Sequence, residues 1–108
     1  LAFPTNDFGQ EFQSDREIQE FVKTHYPQAT FPILGTSHLP ENTIYQELQR
    51  QMPDNHVRHN FFKYLVNRQG MAVKFYDKQT EPLDIQDDIE ELLLTTADAV
   101  NPRQFVIK

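Results

Sequence analysis

Two aromatic and β-branched runs, "NFFKYLV" (60–66) and "MAVKFY" (71–76), are separated only by Asn67-Arg68-Gln69-Gly70. Runs of this composition favour a pleated, half-buried strand. A four-residue spacer ending in Gly fits a hairpin loop, with Gly70 supplying a positive φ that side chains avoid. The pair predicts an antiparallel β-hairpin over 60–76, and any fold for this chain must be built around it. A two-stranded hairpin is not stable alone in water, so the flanking segments have to cover it.

The flanks offer helices. Ser14-Asp15-Arg16-Glu17 has the form of a capping box, a hydroxyl at the helix start and a carboxylate three residues on. Ile18, Phe21 and Val22 follow at helical spacing, predicting a helix over 15–26 that Pro27 stops. Phe31-Pro32-Ile33-Leu34 is a packed loop, because Pro cannot serve a central strand. Thr43 with Gln46 forms a second capping box, and Ile44 and Leu48 define a shorter helix ending near Pro53. Asp84 opens a last helix, to residue 95, with Asp87 and Asp88 in the first turn where the helix dipole favours anions. Its buried face is Ile85, Ile89, Leu92 and Leu93. Leu1-Ala2-Phe3 reads as a short apolar strand stopped by Pro4. The order is strand, helix, loop with short helix, hairpin, helix: an α/β or α+β domain over 1–95, with 96–108 as a C-terminal tail. The core is expected at Phe21, Phe61 or Phe62, Leu65, Val73, Ile89 and Leu92.

With 108 residues the chain holds one domain. Its net charge of −6 argues against a duplex nucleic-acid binder, which needs clustered cations. No apolar run is long enough to span a membrane. There is no cysteine, which excludes disulfides, thiolate-metal sites and a thiol nucleophile within these residues. His56 and His59 are near neighbours, but they precede a strand and lack a third ligand, so no metal or other cofactor is expected.

Three segments resemble one family. "LAFPTNDFGQEF" is similar to the glutathione peroxidase signature L-A-F-P-C-N-Q-F-G-x-Q-E-P. "HNFFKYLVNRQGMAVKFYD" resembles the family's W-N-F-x-K-F-L-V-(N/D)-x-x-G-x-V-V-K-R-Y, and "EPLDIQDDIEELL" its closing helix. The matches come in the family's order and cover nearly all of residues 1–95. The resemblance implies a thioredoxin-like α/β fold of glutathione peroxidase type, entered at its second strand. The first strand and the active-site helix, with the signature N-V-A-S-x-(C/U)-G, would lie upstream of Leu1. In that fold the first strand sits between the second strand and the hairpin. The facing hairpin edge is therefore expected to be open, filled by another segment or a partner chain, or repacked.

The implied activity is thiol-dependent reduction of hydroperoxides in the oxidative stress response, with a hydroperoxide and a thiol reductant as partners. The family surrounds its redox residue with a Gln amide, a Trp indole N–H and an Asn amide. Gln10 matches the Gln, Asn60 the Asn, and His59 occupies the Trp position. By residue type alone, Gln10 is a solvated turn residue, Asn60 a strand cap and His59 a packed or solvent-facing ring. Asp7 stands for a Gln of the signature, Phe12 for its Pro and Thr5 for its Cys. Lys23 falls where thioredoxin-dependent members keep a resolving cysteine. The alternative function is therefore a catalytically inactive member serving as a structural or interaction subunit. "NFFKYLVN" and "VKFY" lean towards the animal branch of the endoplasmic reticulum. The cytoplasm and mitochondrion remain open.

Overall fold

The computed structural model describes residues 1–95 and 104–107. The first helix, α1, is Asp15–His25, and Ser14 Oγ accepts from Glu17 N at 3.2 Å to cap it. The second, α2, is Thr43–Gln51. Its cap is Asn42 rather than the expected Thr43: the Asn42 carboxamide oxygen accepts from Tyr45 N at 3.0 Å. Asn is as good a cap as Thr, and here it is the residue with extended backbone.

The hairpin forms as the spacing predicts. Strand β1 is Lys63–Val66 and strand β2 is Ala72–Tyr76, paired antiparallel from Lys63↔Tyr76 to Val66↔Ala72. Asn67 organises the loop: its side-chain oxygen accepts from Gln69 N and Met71 N, and Gly70 takes a φ of +84°. A short 3-10 turn, Pro82–Ile85, leads into the last helix, α3, at Gln86–Thr95. Asp88 ties α3 to the hairpin, accepting from Lys74 Nζ at 2.8 Å and from Tyr76 Oη at 2.7 Å.

Of the expected tail, Gln104–Ile107 is described and forms a third strand, β3. It pairs antiparallel with the free edge of β1, from Lys63↔Ile107 to Val66↔Gln104, giving the sheet order β2-β1-β3. The hairpin edge expected to be open is thus occupied by the chain's own segment. The first residues take a different neighbour. Ala2 bridges Ile33 in parallel, with Ala2 N donating to Pro32 O and Leu34 N to Ala2 O, both at 2.9 Å.

Because β1 is the middle strand, all four of its residues are buried. Tyr64 and Val66 join Phe3 and Leu48 in the central cluster. Leu65, Phe62, Ile18, Leu39 and Ile85 are buried as well. This core differs from the expected one at several positions. Val73 is exposed because the register slips: Lys74 faces Leu65 and Ala72 faces Val66, so Val73 is the unpaired residue of a bulge. Phe21 and Phe61 are exposed, Phe62 takes the buried place, and Ile89 and Leu92 are half-buried. Phe21 leans on Phe12 and His25 instead, with ring centroids 5.2 and 4.6 Å away.

Candidate active site

The N-terminal segment reaches the site through a tight turn. Gly9, at φ +71°, donates its N–H to Asn6 O at 2.9 Å, and Gln10 follows immediately. The hairpin enters the same region from the other side. Asn60 is buried just before β1, and its Nδ2 donates to Gln10 Oε1 at 2.8 Å. Two residues 50 positions apart thereby meet side chain to side chain. By donor count this leaves one Nδ2 hydrogen of Asn60 and both Nε2 hydrogens of Gln10 for a ligand.

His59 lies beside them in sequence but takes another partner. Its ring stacks on Phe8, centroids 5.5 Å apart and planes 19° from parallel, and its Nδ1 is buried without a hydrogen-bond partner among the described residues. Phe8 belongs to the same turn as Gln10, so the 59–60 pair grips that turn at two points.

Gln10 and Asn60 line a cleft of about 760 Å³. Its walls are largely apolar: Ile18, Phe21 and Val22 of α1, with Phe12, Phe31, Ile33 and Phe61. The exposed aromatics noted above therefore face one concavity. A volume of this size holds a small organic molecule. Among the described residues no three His, Asp or Glu side chains stand close enough to hold a metal ion. No helix there is long and apolar enough to cross a membrane.

The residues that depart from the signature have structural places. Thr5 is fully buried and its Oγ1 accepts from Asp7 N at 3.2 Å. Asp7 reaches across to the segment before α2, where its carboxylate accepts from His38 Nδ1 at 2.6 Å and from Leu39 N at 2.8 Å. Lys23 is exposed in the last turn of α1. Partial burial by itself raises the Asp7 carboxyl, but the bonds from His38, Leu39 and Thr5 outweigh it and leave it below its ordinary 3.8. The bond to Asp7 raises the His38 imidazole above its ordinary 6.5.

His38 should therefore titrate above 6.5 when followed by NMR, and Asp7→Asn should return it towards that value. Its linked stability is fully present below the unfolded-state value and is lost as pH rises through the raised folded value. The Asp7 contribution runs the other way: present above its unfolded value, lost as pH falls through the lowered folded one. A wild-type His38 titrating at 6.5 would show that the contact is not held in solution.

Sequence reasoning missed Lys63, which reads as an outward-facing strand lysine but is 2% exposed. Its Nζ donates to three backbone carbonyls: Phe61 O and Thr80 O at 2.6 Å, and Asp77 O at 3.3 Å. Burial holds this ammonium below its ordinary 10.5, opposed by the charges of Glu81 and Asp77. The sequence signals were a lysine inside a run of apolar residues and its match to the Lys of the family pattern W-N-F-x-K-F-L-V.

No protein-family model matches the chain. Curated proteins do. A glutathione peroxidase-like peroxiredoxin of Schizosaccharomyces pombe is 37% identical over 100 residues, covering 86% of this chain and 63% of that protein. A glutathione peroxidase of Schistosoma mansoni is 38% identical over 99 residues, covering 86% and 59%. The chain belongs to the glutathione peroxidase family. A probable glutathione peroxidase 8 of Homo sapiens is 36% identical over 116 aligned positions, covering all of this chain and 48% of that protein. The chain thus spans less than two thirds of the length of these glutathione peroxidases. Its mixed helices and small antiparallel sheet are those of the family's thioredoxin-like fold.

Proposed function

We propose that this chain is the donor-bearing part of a thiol-dependent hydroperoxide reductase. Gln10 and Asn60 hydrogen-bond the peroxide and the departing oxygen. A thiolate or selenolate outside these 108 residues supplies the two electrons. It attacks one peroxide oxygen, the O–O bond breaks, and the other oxygen leaves as water or an alcohol once protonated. The resulting sulfenic or selenenic acid is reduced by a thiol. The observation that carries the reading is the 2.8 Å Asn60–Gln10 bond, which holds two amides at the wall of an apolar cleft. Preorganised donors of this kind stabilise charge developing on oxygen without reorganising during the reaction. His59 takes the place of the indole donor, and residues 1–95 carry the domain.

A second reading, an inactive member acting as an interaction subunit with a partner chain lending a strand, draws on His59 and on the lack of any thiol in the chain. One experiment separates the two. The chain is joined at Leu1 to a family strand-and-helix segment carrying the redox cysteine, and hydroperoxide consumption is measured. Turnover is expected, with Gln10→Ala and Asn60→Ala each lowering kcat/KM by about 10²–10³. No turnover would favour the inactive subunit, and unchanged kcat/KM in both variants would remove the donor role.

A further inference from the structure

Phe61 is the one non-glycine residue with a positive φ, +65°, among those described. Side chains rarely adopt that region, and a residue stays there only when its surroundings over-determine it. The Phe61 ring does not hold it, because the side chain is 62% exposed. What grips the residue is its carbonyl, 2.6 Å from Lys63 Nζ. The same ammonium reaches Asp77 O and Thr80 O, at the two ends of the turn that follows β2. Three donors meet three carbonyls, which exhausts the hydrogens of the ammonium. A buried lysine at the start of a central strand is costly to desolvate, and the sheet needs only its backbone, paired with Tyr76 and Ile107. Its side chain serves the residue that follows Asn60.

We propose that Lys63 is a positioning residue for the Asn60 amide. Its ammonium ties the Phe61 carbonyl to the Asp77–Thr80 turn, holds residue 61 in the left-handed conformation, and so keeps Asn60 aimed at Gln10. An arginine would not substitute, because a planar fork cannot present three donors to three carbonyls around one point. The catalytic consequence rests on the donor roles given above to Gln10 and Asn60. The geometric claim concerns the folded chain itself.

The test is NMR on the isotopically labelled 108-residue chain, wild type and Lys63→Met, which keeps length and removes the ammonium. Two signals report the site: the cross-peak between the Asn60 and Gln10 side chains, and the one-bond Cα–Hα coupling of Phe61, which separates positive from negative φ. The β1 and β2 amide pattern reports the sheet. In Lys63→Met the sheet pattern should persist while the Asn60–Gln10 cross-peak disappears and Phe61 moves to negative φ. In Phe61→Gly combined with Lys63→Met the cross-peak should return, because glycine accepts the left-handed region without a tether.

A retained cross-peak in Lys63→Met would overturn the proposal. So would collapse of the whole sheet, which would make Lys63 a general fold determinant, or failure of the glycine to restore contact. Loss of the cross-peak in Lys63→Met, with Gln10 and Asn60 dispensable for turnover, would sink the donor reading and leave the positioning role standing. The reverse combination would do the opposite.

Discussion

Mixed with hydrogen peroxide and glutathione or thioredoxin, the 108-residue chain should consume nothing above the buffer rate. Peroxide reduction takes two electrons from a nucleophile that is then regenerated, and the chain has no cysteine. Its methionines are no substitute. Met52 is half-buried against the central cluster and Met71 sits 49% exposed beside the hairpin loop. Either can be oxidised once to the sulfoxide, which is a stoichiometric event and not a cycle. Amide donors orient a peroxide but supply no electrons. Once the cysteine-bearing segment is joined at Leu1, turnover should appear, and His59→Trp should raise it. An imidazole stacked on Phe8, with one nitrogen buried and unpartnered among the described residues, is a shorter and less placed donor than an indole. A coupled peroxidase assay on the three forms decides the matter. Sustained turnover by the chain alone would refute the missing-nucleophile argument, and a Trp form no faster than the His form would clear His59 of limiting the chemistry.

The second large effect is on stability. Truncating Leu65 or Ile85, 2% and 0% exposed, to Ala should cost about 2–5 kcal/mol in denaturant unfolding, the transfer term plus a cavity. Phe21→Ala and Val73→Ala should each cost under about 1 kcal/mol, since both are roughly 40% exposed: Phe21 faces the cleft and Val73 bulges from β2. The contrast is informative because all four residues are large apolar members of predicted elements. Equal costs for the two pairs would mean that the cleft is closed and the bulge repacked in solution. A shift in midpoint at constant slope keeps the comparison one of stability alone.

What was legible in the sequence had a local cause. The hairpin, α1 and α3 each carry their signal within a few residues, in the Gly70 loop, the Ser14 cap and the acidic first turn after Asp84. The meeting of Gln10 with Asn60 was foreshadowed only through the family resemblance, since nothing local in "GQEF" or "HNFF" announces that the two touch. The Asp7–His38 bond is hidden for the same reason, its partners being 31 positions apart. Val73 was misjudged because strict alternation does not foresee a bulge, and Phe21 because helical periodicity names a face without saying whether anything covers it. Lys63 was not singled out, because nothing local says that a charge in a strand will be buried. Here three carbonyls replace the water.

The middle position of β1 also bears on the order of assembly. The hairpin contact Lys63↔Tyr76 closes a loop of 13 residues, whereas Lys63↔Ile107 closes one of 44. Loop-closure entropy grows with the logarithm of length, so the longer closure is dearer by about 1 kcal/mol before any side chain packs. The hairpin closure is therefore the cheaper of the two, and elements of this kind close within microseconds. Until the second pairing is made, one edge of β1 presents unsatisfied amides and carbonyls, a template that any other extended chain can read. The interval between the two closures is when this sequence is most exposed to association with its own copies. Faster arrival of residues 104–107 shortens that interval without altering the stability of the finished sheet.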